Sequence, residues 1–301
     1  MKYLFNQFII KILPFVPLPI VQLVAGRYVA GENIADALNI VKIINQKGFS
    51  ATVDILGEHT KDEATAREIT REYQELLRSI HKHNLNCNIS IKPSHLGMGI
   101  NNECIYKNMD CLIKTASNDS QFIRIDMEDS TLTDESLDLF RKCKEQYEHV
   151  GPVLQAYLFR TKDDLNSLNH LNNINVRICK GIYREHAEIA IQSRHDINNN
   201  FLKLVQYAFE NKIFVGIATH DLSLIQRVYK LISDMNITSD QFEFQVLYGV
   251  PMSGWLEKHL ENNYRVRVYV PFGKDWYDYS VRRLKENPNI SGYVIRDIFR
   301  R

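Results

Sequence analysis

The 301-residue sequence lacks a charge excess of either sign: 37 Lys plus Arg against 36 Asp plus Glu leave +1. A chain that binds nucleic acid carries a clustered basic surplus, so this balance gives no footprint for such a partner. Cysteine is scarce, and the five present (Cys87, Cys104, Cys111, Cys143 and Cys179) are odd in number and form no C-x-x-C. That argues against a disulfide framework and fits a reducing, cytoplasmic compartment. An unbroken apolar run of spanning length is also missing. The nearest, FIIKILPFVPLPIVQLVAG at 8–26, is interrupted by Lys11 and by Pro14, Pro17 and Pro19, which would break a spanning helix. No convincing small-x-small cleavage site precedes Arg27. We expect residues 1–30 to form an apolar helical arm that packs on the body or makes peripheral contact with the inner face of a membrane. Low-complexity tracts, linkers and sequence repeats are absent as well, so residues 31–301 are expected to form one domain.

What is present is an ordinary globular composition, 45% hydrophobic and 24% charged, with enough apolar residues for a sizeable core. Eight short β-branched runs recur: 49–55, 87–92, 122–127, 152–158, 175–180, 213–219, 242–248 and 265–270. Longer amphipathic stretches separate most of them, for example 63–83 and 132–150, the latter with Thr133 as an expected N-cap. Strands alternating with helices give parallel crossover units, and eight of them predict a closed (β/α)8 barrel.

Chemistry in such barrels gathers at the C-terminal ends of the strands. Those ends read Asp54, Lys92, Asp126, Gln155, Arg177 with Lys180, Thr219 with His220, Gln245 with Tyr248, and Tyr269. Packing alone does not call for so many polar ends. Two lysines beside Arg177 make the mouth look cationic and suited to an anion. Either Lys92 or Lys180 would serve as a Schiff-base nucleophile, as in barrel aldolases, if burial lowered its pKa. The strand ends offer a single histidine, His220, while His81 and His83 close a polar helix, so no metal centre is expected. LGMGINN at 96–102 has G-x-G without the third glycine or the strand–turn–helix setting of a dinucleotide fold, and reads as a loop. WYDYSVRRLKEN at 276–287 sets Arg282 and Arg283 before Glu286. On an exposed helix such pairs contribute roughly 0.2–0.5 kcal/mol each. Over a barrel mouth, two guanidiniums would instead grip a carboxylate in fixed orientation.

Seven segments occur in the order found in one known family. RICKGIYRE (177–185), FEFQVLYGV (242–250) and YVPFGKDWYDYSVRRLKEN (269–287) resemble motifs of proline dehydrogenases, as do VAGE (29–32), SIK (90–92), QAYL (155–158) and ATHD (218–221). The resemblance runs from about residue 25 to 300. It implies a distorted (β/α)8 barrel whose last helix lies across the mouth, noncovalent FAD, oxidation of L-proline to Δ1-pyrroline-5-carboxylate, and electrons passed to a membrane quinone. Carried over residue by residue, it implies that Arg282, Arg283 and Lys92 hold the proline carboxylate, that Glu286 orients the arginines, and that Asp126 lies beside Lys92. Tyr183 and Tyr269 would wall the ring, while Gln155, Arg177, Lys180, Gly181, Thr219, His220 and Gln245 would hold the flavin. Two departures stand out. Ile182 replaces a usually small residue and would narrow the substrate pocket, and Lys-Pro-Ser follows strand two where Lys-Leu-Thr is more usual. A Schiff-base aldolase and a catalytically inert binding barrel remain the competing readings; the first would be colourless and the second would have no need of this mouth.

Overall fold

The computed structural model describes residues 26–277, 279 and 280. Eight parallel strands close into a barrel in chain order: β1 (Ser50–Ile55), β2 (Cys87–Ile91), β3 (Ile123–Ile125), β4 (Val150–Gln155), β5 (Asn175–Cys179), β6 (Phe214–Ala218), β7 (Phe242–Leu247) and β8 (Val266–Phe272). β8 pairs back onto β1, with Thr52 opposite Tyr269 and Asp54 opposite Pro271. Helix α1 (Ile34–Gln46) precedes β1. The crossovers carry α2 (Glu63–Lys82), α3 (Asn102–Ser117), α4 (Thr133–Gln146), α5 (Thr161–Asn166), α6 (Arg194–Glu210), α7 (Leu222–Asp234) and α8 (Trp255–Glu261) in turn. The α/β barrel expected from the eight runs is the fold. No helix among the described residues is long and apolar enough to cross a membrane.

Each helix lays one apolar stripe on the sheet. In α2 the buried residues Ala66, Thr70, Tyr73, Leu77 and Ile80 recur at helical spacing, and Asp62 caps the start by accepting from the Thr65 N–H at 2.9 Å. The strands divide their residues by alternation. Ala51, Val53 and Ile55 of β1, Ile89 and Ile91 of β2 and Val215 and Ile217 of β6 join the apolar core shared with the helices. The intervening positions carry Thr52, Asp54, Asn88, Ser90, Arg124, Arg177, Glu243 and Gln245, all buried. The inside of this barrel is therefore largely polar, where branched aliphatics are the usual filling, and Thr52 Oγ1 and Asn88 Oδ1 are buried there without a hydrogen-bond partner.

Three local expectations shift. β4 begins at Val150 and ends at Gln155, earlier than the 152–158 run suggested. All six of its residues are buried, which erases the alternation, and Gly151 is required because a side chain there would strike the Asn175 carbonyl and the Arg124 guanidinium. Thr133 is not an N-cap. A 3-10 turn at Ser130–Leu132, capped by Asp129, already winds the chain, so α4 starts at Thr133 without a side-chain cap. β8 continues through Pro271 and Phe272, and helical geometry resumes at Trp276.

Most of the apolar arm lies outside the described residues. Its last part is seated: Tyr28, Val29 and Ala30 are buried, and the Ala30 N–H donates to Pro271 O at 2.8 Å. The start of the helical residues after β8 is fixed at the same place. Trp276 packs on Val29 and Leu56 at the end of β1, and its Nε1–H donates to Glu32 Oε1 at 2.9 Å. Arg282, Arg283 and Glu286 lie outside the described residues.

Candidate active site

The C-terminal ends of β8, β1, β2, β3 and β5 are joined by one hydrogen-bonded chain. Lys92 donates to Asp54 Oδ2 at 2.6 Å. The Tyr269 hydroxyl meets the same oxygen at 2.7 Å and Asp126 Oδ2 at 3.2 Å. Asp126 Oδ1 accepts from Arg177 Nη1 at 2.7 Å and from the Ser90 hydroxyl at 2.6 Å. Arg177 Nε donates to Gln245 Oε1 at 2.5 Å, Gln245 Nε2 donates to Glu243 Oε1 at 2.7 Å, and Arg267 Nε closes on that same oxygen at 2.7 Å. Lys92, Asp126, Tyr269, Arg177 and Gln245 are thus brought together. A cavity of about 420 Å³ opens at the opposite end of the barrel, lined by Asn88, Arg124, Glu243 and Arg267, and includes none of the mouth residues.

The mouth is not simply cationic. Lys92 pairs with Asp54, Arg177 with Asp126, and Lys180 with Asp221 at 2.8 Å. Desolvation explains this, since a buried cation is tolerated only with a nearby anion. Burial pulls the Lys92 ammonium down, but Asp54 and Asp126 outweigh it and hold the group above the ordinary lysine value. A Schiff-base nucleophile needs the reverse, so Lys92 does not suit that role. Lys180 is lowered by burial, against the pull of Asp221, yet its amine remains bound to that carboxylate. Burial would raise Asp221 too, but bonds from Lys180 and Asn198 hold it well below the carboxylate range.

Asp126 was expected beside Lys92. The direct partner is Asp54, and Asp126 reaches the lysine through Tyr269 and the shared field. Gln245 stands one layer below the mouth, its amide oxygen accepting from Arg177 and its amide nitrogen donating to Glu243, so it holds Arg177 in place. Gly216 makes room for it, because a side chain there would strike the Gln245 amide.

The other half of the mouth belongs to β4, β5 and β6. Gln155 Nε2 donates to Glu128 O at 2.7 Å. Thr219 Oγ1 accepts from the Asp221 N–H at 3.2 Å. His220 Nε2 accepts from the Leu247 N–H at 2.8 Å, so the neutral ring carries its proton on Nδ1. Gly181 has φ +103°, and any side chain there would collide with the Tyr157 ring. The loop after β5 crosses the mouth: Tyr183 Oη lies 3.5 Å from Glu58 Oε2 on the loop after β1, and Glu185 accepts from the Ser130 N–H and hydroxyl, each at 2.7 Å. Ile182 on this loop is 51% exposed. Residues left without a role by sequence reasoning are Asp54, Tyr73, Ser90 and Glu243. Asp54 was visible as a strand end; Tyr73 offered no signal, sitting mid-helix.

Comparison with known proteins places this arrangement. Residues 37–296 match the family model described as proline dehydrogenase. The chain is 35% identical over 272 residues to proline dehydrogenase 2 of Bacillus subtilis (strain 168), covering 90% of this chain and 89% of that protein. It is 36% identical over 282 residues to the proline dehydrogenase of Deinococcus radiodurans, covering 92% and 90%. The crystal structure of proline utilization A (PutA) from Bdellovibrio bacteriovorus inactivated by N-propargylglycine superposes with a TM-score of 0.81 at 25% identity, over 88% of this chain and 33% of that longer one. A family match across most of the sequence, with relatives matched along nearly their whole length, decides the matter: the chain belongs to the proline dehydrogenase family, a family of oxidoreductases.

Proposed function

We propose that the chain oxidises L-proline to Δ1-pyrroline-5-carboxylate, removing a hydride from C5 and a proton from the ring nitrogen, with a noncovalently held FAD as the immediate acceptor and a membrane quinone as the final one. The observation that carries this reading is the linked set Lys92–Asp54–Tyr269–Asp126–Arg177 at the strand ends of a chain with this family membership. The residues present fit a flavin. Adjacent strand ends β5 and β6 carry Arg177, Lys180 and His220 with its donor on Nδ1, a cluster of N–H groups suited to flavin carbonyls and a diphosphate. Gln155 and Thr219 flank them. When bound, the flavin supplies the hydride acceptor; the rest falls to side chains. Lys92, held protonated, offers its charge to the proline carboxylate, and Arg282 with Arg283, oriented by Glu286, complete the grip. Tyr269 and Tyr183 bound the ring, so that C5 is oriented and does not tumble. Arg177, held rigidly by Asp126 and Gln245, stabilises negative charge arriving at the acceptor. The apolar arm at 8–26 is assigned peripheral contact with the quinone-bearing membrane at its inner face.

The test is a visible spectrum. Protein purified or reconstituted with FAD should absorb near 450 nm, roughly as free flavins do, release yellow FAD on acid precipitation, and bleach when L-proline is added without oxygen. A protein that neither contains nor takes up FAD, or whose flavin stays oxidised with L-proline, would contradict the reading.

A further inference from the structure

Asp54 is the only group that touches both Lys92 and Tyr269 among the described hydrogen bonds, and it does so through one atom. Oδ2 accepts the Lys92 ammonium at 2.6 Å and the Tyr269 hydroxyl at 2.7 Å. The second oxygen, Oδ1, lies 3.2 Å from the Tyr73 hydroxyl, which also contacts Ser90 O at 3.0 Å and accepts from the Ile55 N–H at 3.1 Å. Tyr73 belongs to α2, outside the barrel, and both Asp54 and Tyr73 are 0% exposed. A carboxylate sealed from solvent is costly unless it is paired and hydrogen-bonded. Here it fixes the ammonium of a side chain that is itself 15% exposed.

We infer that Asp54, braced by Tyr73, is a positioning residue: it sets Lys92 and Tyr269 at a fixed separation so that carboxylate and ring of the substrate are held as one unit. The inference rests on the proline reading above and adds to it a residue that does not touch substrate. Charged and titratable groups facing Lys92 are Asp54 from β1, Asp126 and Glu128 from beyond β3, and His95 from its own loop, with Tyr269 from β8 closing the circle. Burial lowers Lys92 and the carboxylates raise it, so removing the nearest carboxylate moves the group downward.

Asp54→Asn is the discriminating change. Asparagine keeps the shape, turning its oxygen to Lys92 and Tyr269 and its amide to Tyr73, but loses the charge. In the full-length FAD-loaded enzyme, KM for L-proline should rise roughly tenfold or more, with a smaller loss in kcat. The alkaline limb of the kcat/KM profile should move down by about one pH unit or more. Asp54→Glu should restore that limb without fully restoring KM, because the charge returns one methylene out of place. Tyr73→Phe should raise KM and leave the limb where it is, since the charge remains. Calorimetric titration with cyclopentanecarboxylate, a ring carboxylate with no amine to oxidise, should show weaker binding to Asp54→Asn and Tyr73→Phe than to wild type. A wild-type protein inert to L-proline would contradict the proposed function. Unaltered KM, limb and cyclopentanecarboxylate binding in Asp54→Asn would overturn the positioning role alone. Should Asp54→Asn fail to fold, unaltered KM and binding in both Asp54→Glu and Tyr73→Phe would overturn it.

Discussion

At the residue scale the mouth is a set of acids and bases that neutralise one another, and the meaning of each lies in its partner. Arg177 shows this best. Its Nη1 engages Asp126 and its Nε engages Gln245, a fork that lysine cannot reproduce. Arg177→Lys should therefore cost roughly 1.5–3 kcal/mol of transition-state stabilisation, about ten- to a hundredfold in kcat/KM; steady-state kinetics with L-proline would measure it, and near-normal turnover would remove Arg177 from the site. Much of this residue set was readable, because polar groups recurring at the ends of eight runs are hard to assign to packing. The pairing was not. Asp126 does act on Lys92, but the lysine's direct partner is Asp54, and that choice depends on the stagger of strands around the barrel, which no strand's own residues encode.

At the scale of elements, the strands were legible where apolar and polar residues alternate, as in CNISI and NVRIC, and shifted where burial is complete, as in VGPVLQ. The start of α4 was misplaced because a turn capped by Asp129 pre-empts the cap expected at Thr133. The loop after β5 carries the most local constraint at the mouth. Gly181 needs φ +103° and lies against Tyr157, so both conformation and space exclude a side chain. Gly181→Ala should destabilise the protein by about 1 kcal/mol or more and lower flavin retention, because Lys180 and Tyr183 stand on the same loop. Thermal unfolding and bound-flavin absorbance would check both; a wild-type melting temperature would show that the loop relaxes without cost.

At the scale of the whole molecule, the barrel puts a charge-balanced polar interior inside an apolar shell and opens it at one end. β8, β1, β2 and β3 present Tyr269, Asp54, Lys92 and Asp126, while β4, β5 and β6 present Gln155, Arg177, Lys180, Thr219 and His220. On this account the first group faces the substrate and the second the flavin, so hydride must pass between the halves from one defined carbon. Anaerobic stopped-flow reduction of the enzyme-bound flavin by L-proline deuterated at C5, compared with L-proline deuterated at C2, tests that most directly. The account predicts that C5 deuteration slows flavin bleaching several-fold and that C2 deuteration leaves it almost unchanged. Equal rates with C5-deuterated and ordinary proline, or slowing only with the C2 label, would contradict it.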